Sequence, residues 1–117
     1  MDKDFSIEKA KKFLASQEKD LEEQKELKRL AALELAISVL KSMFSHTPVE
    51  VYLVGSITRP LAFHAGSDVD IVVKNFKGDR FELWTQLESK LQRTVEVILF
   101  ENCLFQEHVI TQGLRVT

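Results

Sequence analysis

Neither glycine nor proline occurs in the first 47 residues. These residues are mostly Ala, Leu, Glu, Lys and Gln, so with no breaker among them the segment reads as one long helix. Ser6 is a candidate N-cap, and Glu8 lies in the first turn, where a negative charge is favoured. The helix is expected to run to about Ser45 and to be stopped by Thr47-Pro48. About 40 residues of helix span roughly 60 Å, more than the width of a domain of this size. Its parts therefore have different surroundings. Leu33, Ile37, Leu40, Met43 and Phe44 recur at spacings of three and four and should pack on a body. Ser16 to Arg29 is mostly charged, with only Leu21 and Leu27 apolar. Ile7, Ala10, Phe13 and Leu14 form an apolar stripe at the start. Two readings stand: a solvated helix, or an arm whose stripe docks on a partner or on a second copy of the chain.

All four glycines and both prolines lie in residues 48–117. There the pattern alternates between strand and helix. Val49 to Val54 reads as a strand. Asp68 to Asp70 lead into a second strand, Ile71 to Val73. A helix starts at Gly78-Asp79, with Asp79 as its N-cap, Phe81, Trp84, Leu87 and Leu91 along one face and Leu83 beside them. Thr94 to Phe100 reads as a third strand. A short helix from about Cys103 to Gln112 ends at Gly113, a suitable residue after a helix C-terminus. With 117 residues and no repeat or linker, one domain is expected, comprising a helix over 1–47 and a core over 48–117.

Composition removes several function classes. Lys and Arg number 16 against 18 Asp and Glu, a net charge of −2, which disfavours direct nucleic-acid binding. Cys103 is the single cysteine, so an internal disulfide and a cysteine-based zinc site are excluded. No apolar run is long enough to span a membrane, and MDKDFSIEKAKKF lacks the apolar segment of a secretory leader. A soluble cytoplasmic protein is expected. Cys103 reads as a small buried hydrophobe, and Phe81 and Trp84 read as core. His46, His64 and His108 show no ligand spacing.

The chemistry is concentrated in VYLVGSITRPLAFHAGSDVDIVV, residues 51–73. Strand side chains alternate, so Asp68 and Asp70 share one face and Val69 and Ile71 the other. Two carboxylates on one face repel each other unless a cation lies between them, and hard oxygen ligands suit Mg²⁺ or Mn²⁺. Gly55 lets a ligand approach the backbone, and the Ser56 hydroxyl with the following N–H groups can take a phosphate oxygen. Arg59 is a further phosphate ligand. A phosphate cradle facing paired carboxylates is equipment for nucleotidyl transfer. Glu96, between Val95 and Val97 in the third strand, fits as a third acid that holds metal and serves the nucleophile. The other reading of Glu96 is an acid facing solvent from an open sheet.

With strand, Gly55-Ser56, spacer, Asp68-x-Asp70 and a third acid in place, the chain resembles a minimal nucleotidyltransferase (MNT) domain of the DNA polymerase β superfamily. The resemblance covers about residues 49–100, and HVITQGLRV is similar to the family's closing helix. Three departures are visible: an eleven-residue spacer, slightly longer than the family's, Pro60 where a second Gly often stands, and Glu96 where Asp is usual. The resemblance implies an α/β (α+β) nucleotidyltransferase fold, a small mixed sheet with helices packed on it, here preceded by the long helix. It also implies two Mg²⁺ ions held by Asp68, Asp70 and Glu96, with Mn²⁺ as an alternative, and ATP bound through Gly55, Ser56 and Arg59. Free-standing members resemble antitoxins of HEPN–MNT modules. That resemblance implies AMP transfer to a tyrosine hydroxyl of a HEPN ribonuclease toxin. The competing expectation is a catalytically weak protein that neutralises its partner by stoichiometric binding. A stand-alone transferase for a small acceptor is a third reading and would need an enclosed pocket beside the carboxylates.

Overall fold

The computed structural model describes residues 7–64 and 66–117. Helix α1 runs over Ile7–Phe44, and the expected cap at Ser6 lies outside the described residues. Thr47 closes the helix before Pro48: its N–H and its hydroxyl both donate to the Phe44 carbonyl, at 3.0 and 2.8 Å. There follow β1 (Glu50–Val54), a 3₁₀ turn (Gly55–Thr58), β2 (Val69–Lys74), α2 (Arg80–Leu91) and β3 (Val95–Leu99). A second 3₁₀ turn (Phe100–Asn102), α3 (Gln106–Gln112) and β4 (Leu114–Arg115) complete the order. The strands form one mixed sheet in the order β3-β2-β1-β4. β1 is antiparallel to β2 and β4, whereas β2 and β3 are parallel and joined through α2, as a parallel pair requires a crossover. This is the mixed α+β architecture expected, with an edge strand added. β4 has only two residues, too few to show a period in the sequence.

Alternation divides the strand side chains between two cores. Val51, Leu53, Ile71, Val73, Val95 and Val97 face α1 and α2, and pack with Leu40, Phe44, Leu83 and Leu87. Tyr52, Val54 and Val72 face the other way, against Phe100 and Val109. Within α1 the fully buried row is Ala36, Leu40 and Phe44, with Leu33, Ile37 and Met43 packed beside it. Ahead of that row α1 projects, and the molecule measures 72 Å along its longest axis. None of the described helices is long and apolar enough to cross a membrane.

Some local expectations are corrected. Asp79 does cap α2, accepting from the N–H groups of Phe81 and Glu82, but the buried row is Leu83, Leu87 and Leu91. Phe81 is 74% exposed, because a residue two before Leu83 lies on the opposite side of the helix. Trp84 is partly buried, with the Arg80 guanidinium 5.2 Å from its ring. Gly113 does end α3 as expected, with a φ of −73°. Its N–H bonds to the Val109 carbonyl at 2.9 Å, and any Cβ there would collide with that same oxygen. Finally, α3 starts at Gln106 instead of Cys103, because the 3₁₀ turn ends in a bond from the Cys103 N–H to the Phe100 carbonyl. Cys103 is only partly buried and packs against the second core.

Candidate active site

Strand β1 ends by running straight into Gly55, whose φ is +80°. L-residues rarely adopt that conformation. A second constraint acts on the same atom: a Cβ on Gly55 would lie 2.5 Å from Asp70 Oδ2. The carboxylate of Asp70 therefore sits directly over the glycine. The sheet register explains why. Asp70 is the β2 partner of Val54, the residue before Gly55, and the parallel partner of Glu96 in β3. Gly55, Asp70 and Glu96 thus line up across three neighbouring strands, on the face shared with Tyr52 and Val72.

There they line an open cavity of about 620 Å³ with Arg80, Ile98 and His108. Asp70 is half-buried and Glu96 exposed. Asp68 is exposed just ahead of β2. Burial, then Glu96, then Asp68 push the Asp70 carboxyl from 3.8 up to about 6. Adjacent carboxylates fit a divalent cation beside the Arg80 that lines the same cavity, and the donors are the hard oxygens that Mg²⁺ or Mn²⁺ prefers. The set is open: among the described residues no three His, Cys, Asp or Glu side chains close into a metal-holding group. The structure places Asp70 beside Glu96 and leaves Asp68 within electrostatic reach at the rim. Glu96 is exposed, as an acid on an open sheet face would be, and is the register neighbour of Asp70.

Ser56 follows Gly55 in the 3₁₀ turn and is half-buried. The turn is tied by Thr58, whose hydroxyl donates to the Gly55 carbonyl at 2.7 Å. Arg59 closes it with an N–H bond to the Ser56 carbonyl at 3.1 Å. The Arg59 side chain is exposed, and the cavity around Asp70 is lined without it. His64 lies in the loop before the carboxylates, where its N–H bonds to the Ser67 hydroxyl at 3.0 Å.

Two residues that sequence reasoning passed over hold this turn from below. Arg29 belongs to the charged stretch of α1, yet it is buried. Its Nη1 donates to the Ile57 carbonyl at 2.9 Å. Its Nε and Nη2 grip Glu26 at 2.7 and 2.8 Å. Glu26 in turn accepts from the Leu61 N–H at 3.2 Å. Hydrogen bonds from Arg29 and Leu61 hold the Glu26 carboxyl down at about 2. Nothing in the spacing of charges marks this pair out, because an i, i+3 Glu–Arg pair is ordinary on a solvated helix. Arg80 was not singled out and His108 was read as having no ligand spacing, since each enters the cavity only through the fold.

A family model described as a nucleotidyltransferase domain matches residues 33–111, more than half of the chain. The matched segment contains Gly55, Ser56, Arg59, Asp68, Asp70 and Glu96 and begins after the projecting part of α1. No curated protein matches the chain.

Proposed function

The chain belongs to the nucleotidyltransferase domain family, and from that premise we propose that it transfers AMP from ATP to a tyrosine hydroxyl of a HEPN ribonuclease toxin, and so acts as an antitoxin. The observation that carries the chemistry is the Asp70 carboxylate seated over the Gly55 Cα with Glu96 in register beside it. Asp68, Asp70 and Glu96 are the residues that would hold divalent ions, and such ions supply charge neutralisation on the triphosphate when bound.

The rest falls to the chain's own groups. Gly55, lacking a side chain, leaves room for phosphate oxygens, and the Ser56 hydroxyl and the turn's N–H groups bind them. Arg59, exposed at the end of that turn, adds a cation to the outer phosphates. Glu96 orients the acceptor hydroxyl and takes its proton. The hydroxyl oxygen then bonds to the α-phosphorus, and the bond to the bridging oxygen breaks to release pyrophosphate. A protein acceptor is supported by the cavity's open, apolar rim: Leu104 is fully exposed and Phe105 is 45% exposed. Such a rim suits a surface side chain presented by a macromolecule better than an enclosed small molecule.

The test is to incubate the chain with ATP, Mg²⁺ and the toxin and weigh the intact toxin. A gain of one AMP, lost in an Asp70→Asn variant, is the expected result. The open donor set favours a second reading, stoichiometric binding without transfer, whose signature is inhibition of the ribonuclease with no change in its mass.

A further inference from the structure

We infer that α1 pairs with α1 of a second copy of this chain, antiparallel and centred on Leu21. Ile7, Leu14, Leu21 and Leu35 are all exposed and lie at multiples of seven residues, the repeat that keeps one helix face against a partner helix. Only Lys28 interrupts the series. Among the described residues, α1 joins the apolar cores only from Ala32 onward. The later half of this face borders a groove of about 580 Å³ where α1 meets the end of α2, lined by Leu21, Ala31, Ala32, Leu35, Phe63 and Leu91. One face of one helix thus carries a bulky apolar stripe at its start and an apolar groove towards its end.

Those two halves are complementary only when a second helix runs in the opposite direction. Reflection about Leu21 sets Ile7 against Leu35, Ala10 against Ala32, and Leu14 against Lys28. The groove's edge is basic, carrying Lys25, Lys28 and Arg93 and no acid. Glu18 of the incoming arm falls opposite Gln24, one residue from Lys25. A parallel pair loses this complementarity: it sets Leu14 on Leu14, Lys28 on Lys28, and leaves both grooves empty. The overlap from Ile7 to Leu35 is roughly 43 Å at about 1.5 Å per residue. The pairing is independent of the reading of the active site, which lies on the opposite face of the sheet.

The test uses the full chain, first by sedimentation equilibrium. The expected species has twice the 13.4 kDa chain mass. Leu21→Glu should give a monomer with an unchanged helical circular-dichroism signal, since Leu21 supports no contact within its own molecule's core. A second measurement fixes direction. In a Cys103→Ser background, Leu14→Cys mixed with Lys28→Cys should form disulfide-linked dimers under mild oxidation, while either variant alone should not. A monomeric wild type, a dimer indifferent to Leu21→Glu, or efficient cross-linking of Leu14→Cys to itself would each overturn the proposal. If a different protein is what covers this face, the isolated chain is monomeric, which is the first of those results.

Discussion

Replacing Asp70 by Asn should make the free protein more stable while removing its chemistry. Asp70 ionises against burial, Glu96 and Asp68, which shift its carboxyl from 3.8 to about 6. Between those values the folded chain keeps a proton that the unfolded chain has released. Stability therefore falls as pH rises through that window, and the whole penalty applies above about 6. At about 1.36 kcal/mol per pKa unit the unscreened bound is about 3 kcal/mol. Because Asp70 is only half-buried, solvent screening reduces this to about 1–1.5 kcal/mol. Asn has nearly the same shape and no charge, so it removes the penalty without leaving a hole. In a chelator at about pH 7.5, the variant should melt about 4–8 °C above wild type. At about pH 4 the two melting curves should converge, because Asp70 is then protonated in the folded state. Adding Mg²⁺ and ATP should raise the melting temperature of wild type and leave the variant unmoved. Equal stability at both pH values, or a less stable variant at neutral pH, would refute the claim that burial and the neighbouring carboxylates disfavour ionised Asp70.

Gly55→Ala should cost about 1–3 kcal/mol in urea denaturation, from a positive φ and a Cβ pressed on Asp70, and nucleotidyl transfer should fall with it. Arg29→Ala strips the Ile57 carbonyl of its buried donor and should cost about 1–3 kcal/mol. Arg29→Lys should recover little, because an ammonium cannot reproduce the two-pronged grip on Glu26. The low carboxyl of Glu26 adds a pH signature: its support is complete above its ordinary value of 4.5 and is lost as pH falls towards about 2. Amide exchange at Leu61, corrected for intrinsic rate, should accelerate across that range. Asp79→Ala removes the α2 cap and should lower stability by about 1 kcal/mol with transfer activity intact, which makes it the control for instability alone.

The parts of this molecule legible in the sequence are those set by short-range rules. A 38-residue helix follows from an unbroken run of good helix formers. β1, β2 and β3 follow from short apolar runs, and the cap at Asp79 from its place before an amphipathic segment. The pairing of Asp70 with Glu96 was legible only as a family pattern, because register across strands is a property of the fold and not of spacing. The phase of α2 was misread at Phe81, since four large apolar residues at helical spacing fit two overlapping faces equally well. Arg29 was hidden for a different reason. A buried arginine is identified by the carbonyl it meets, here the Ile57 oxygen 28 residues away in the chain, and no local signal carries that contact.

The two faces of the sheet explain how the chain tolerates an unfavourable carboxylate cluster. One face is closed by α1 and α2 and holds the larger core. The other is closed only partly, by the seven-residue α3 and the turn before it. Asp70 and Glu96 open onto this second face, where burial is incomplete and a ligand can reach them. Charge repulsion is thereby confined to the side that contributes less to stability, in the pattern of a site whose function opposes folding. α1 bridges the two roles. Its end anchors the main core through Leu40 and Phe44, while Glu26 and Arg29, several turns earlier, fix the turn that follows Gly55. A perturbation of the projecting half of α1 can therefore reach the Gly55–Thr58 turn through these two side chains without disturbing the sheet.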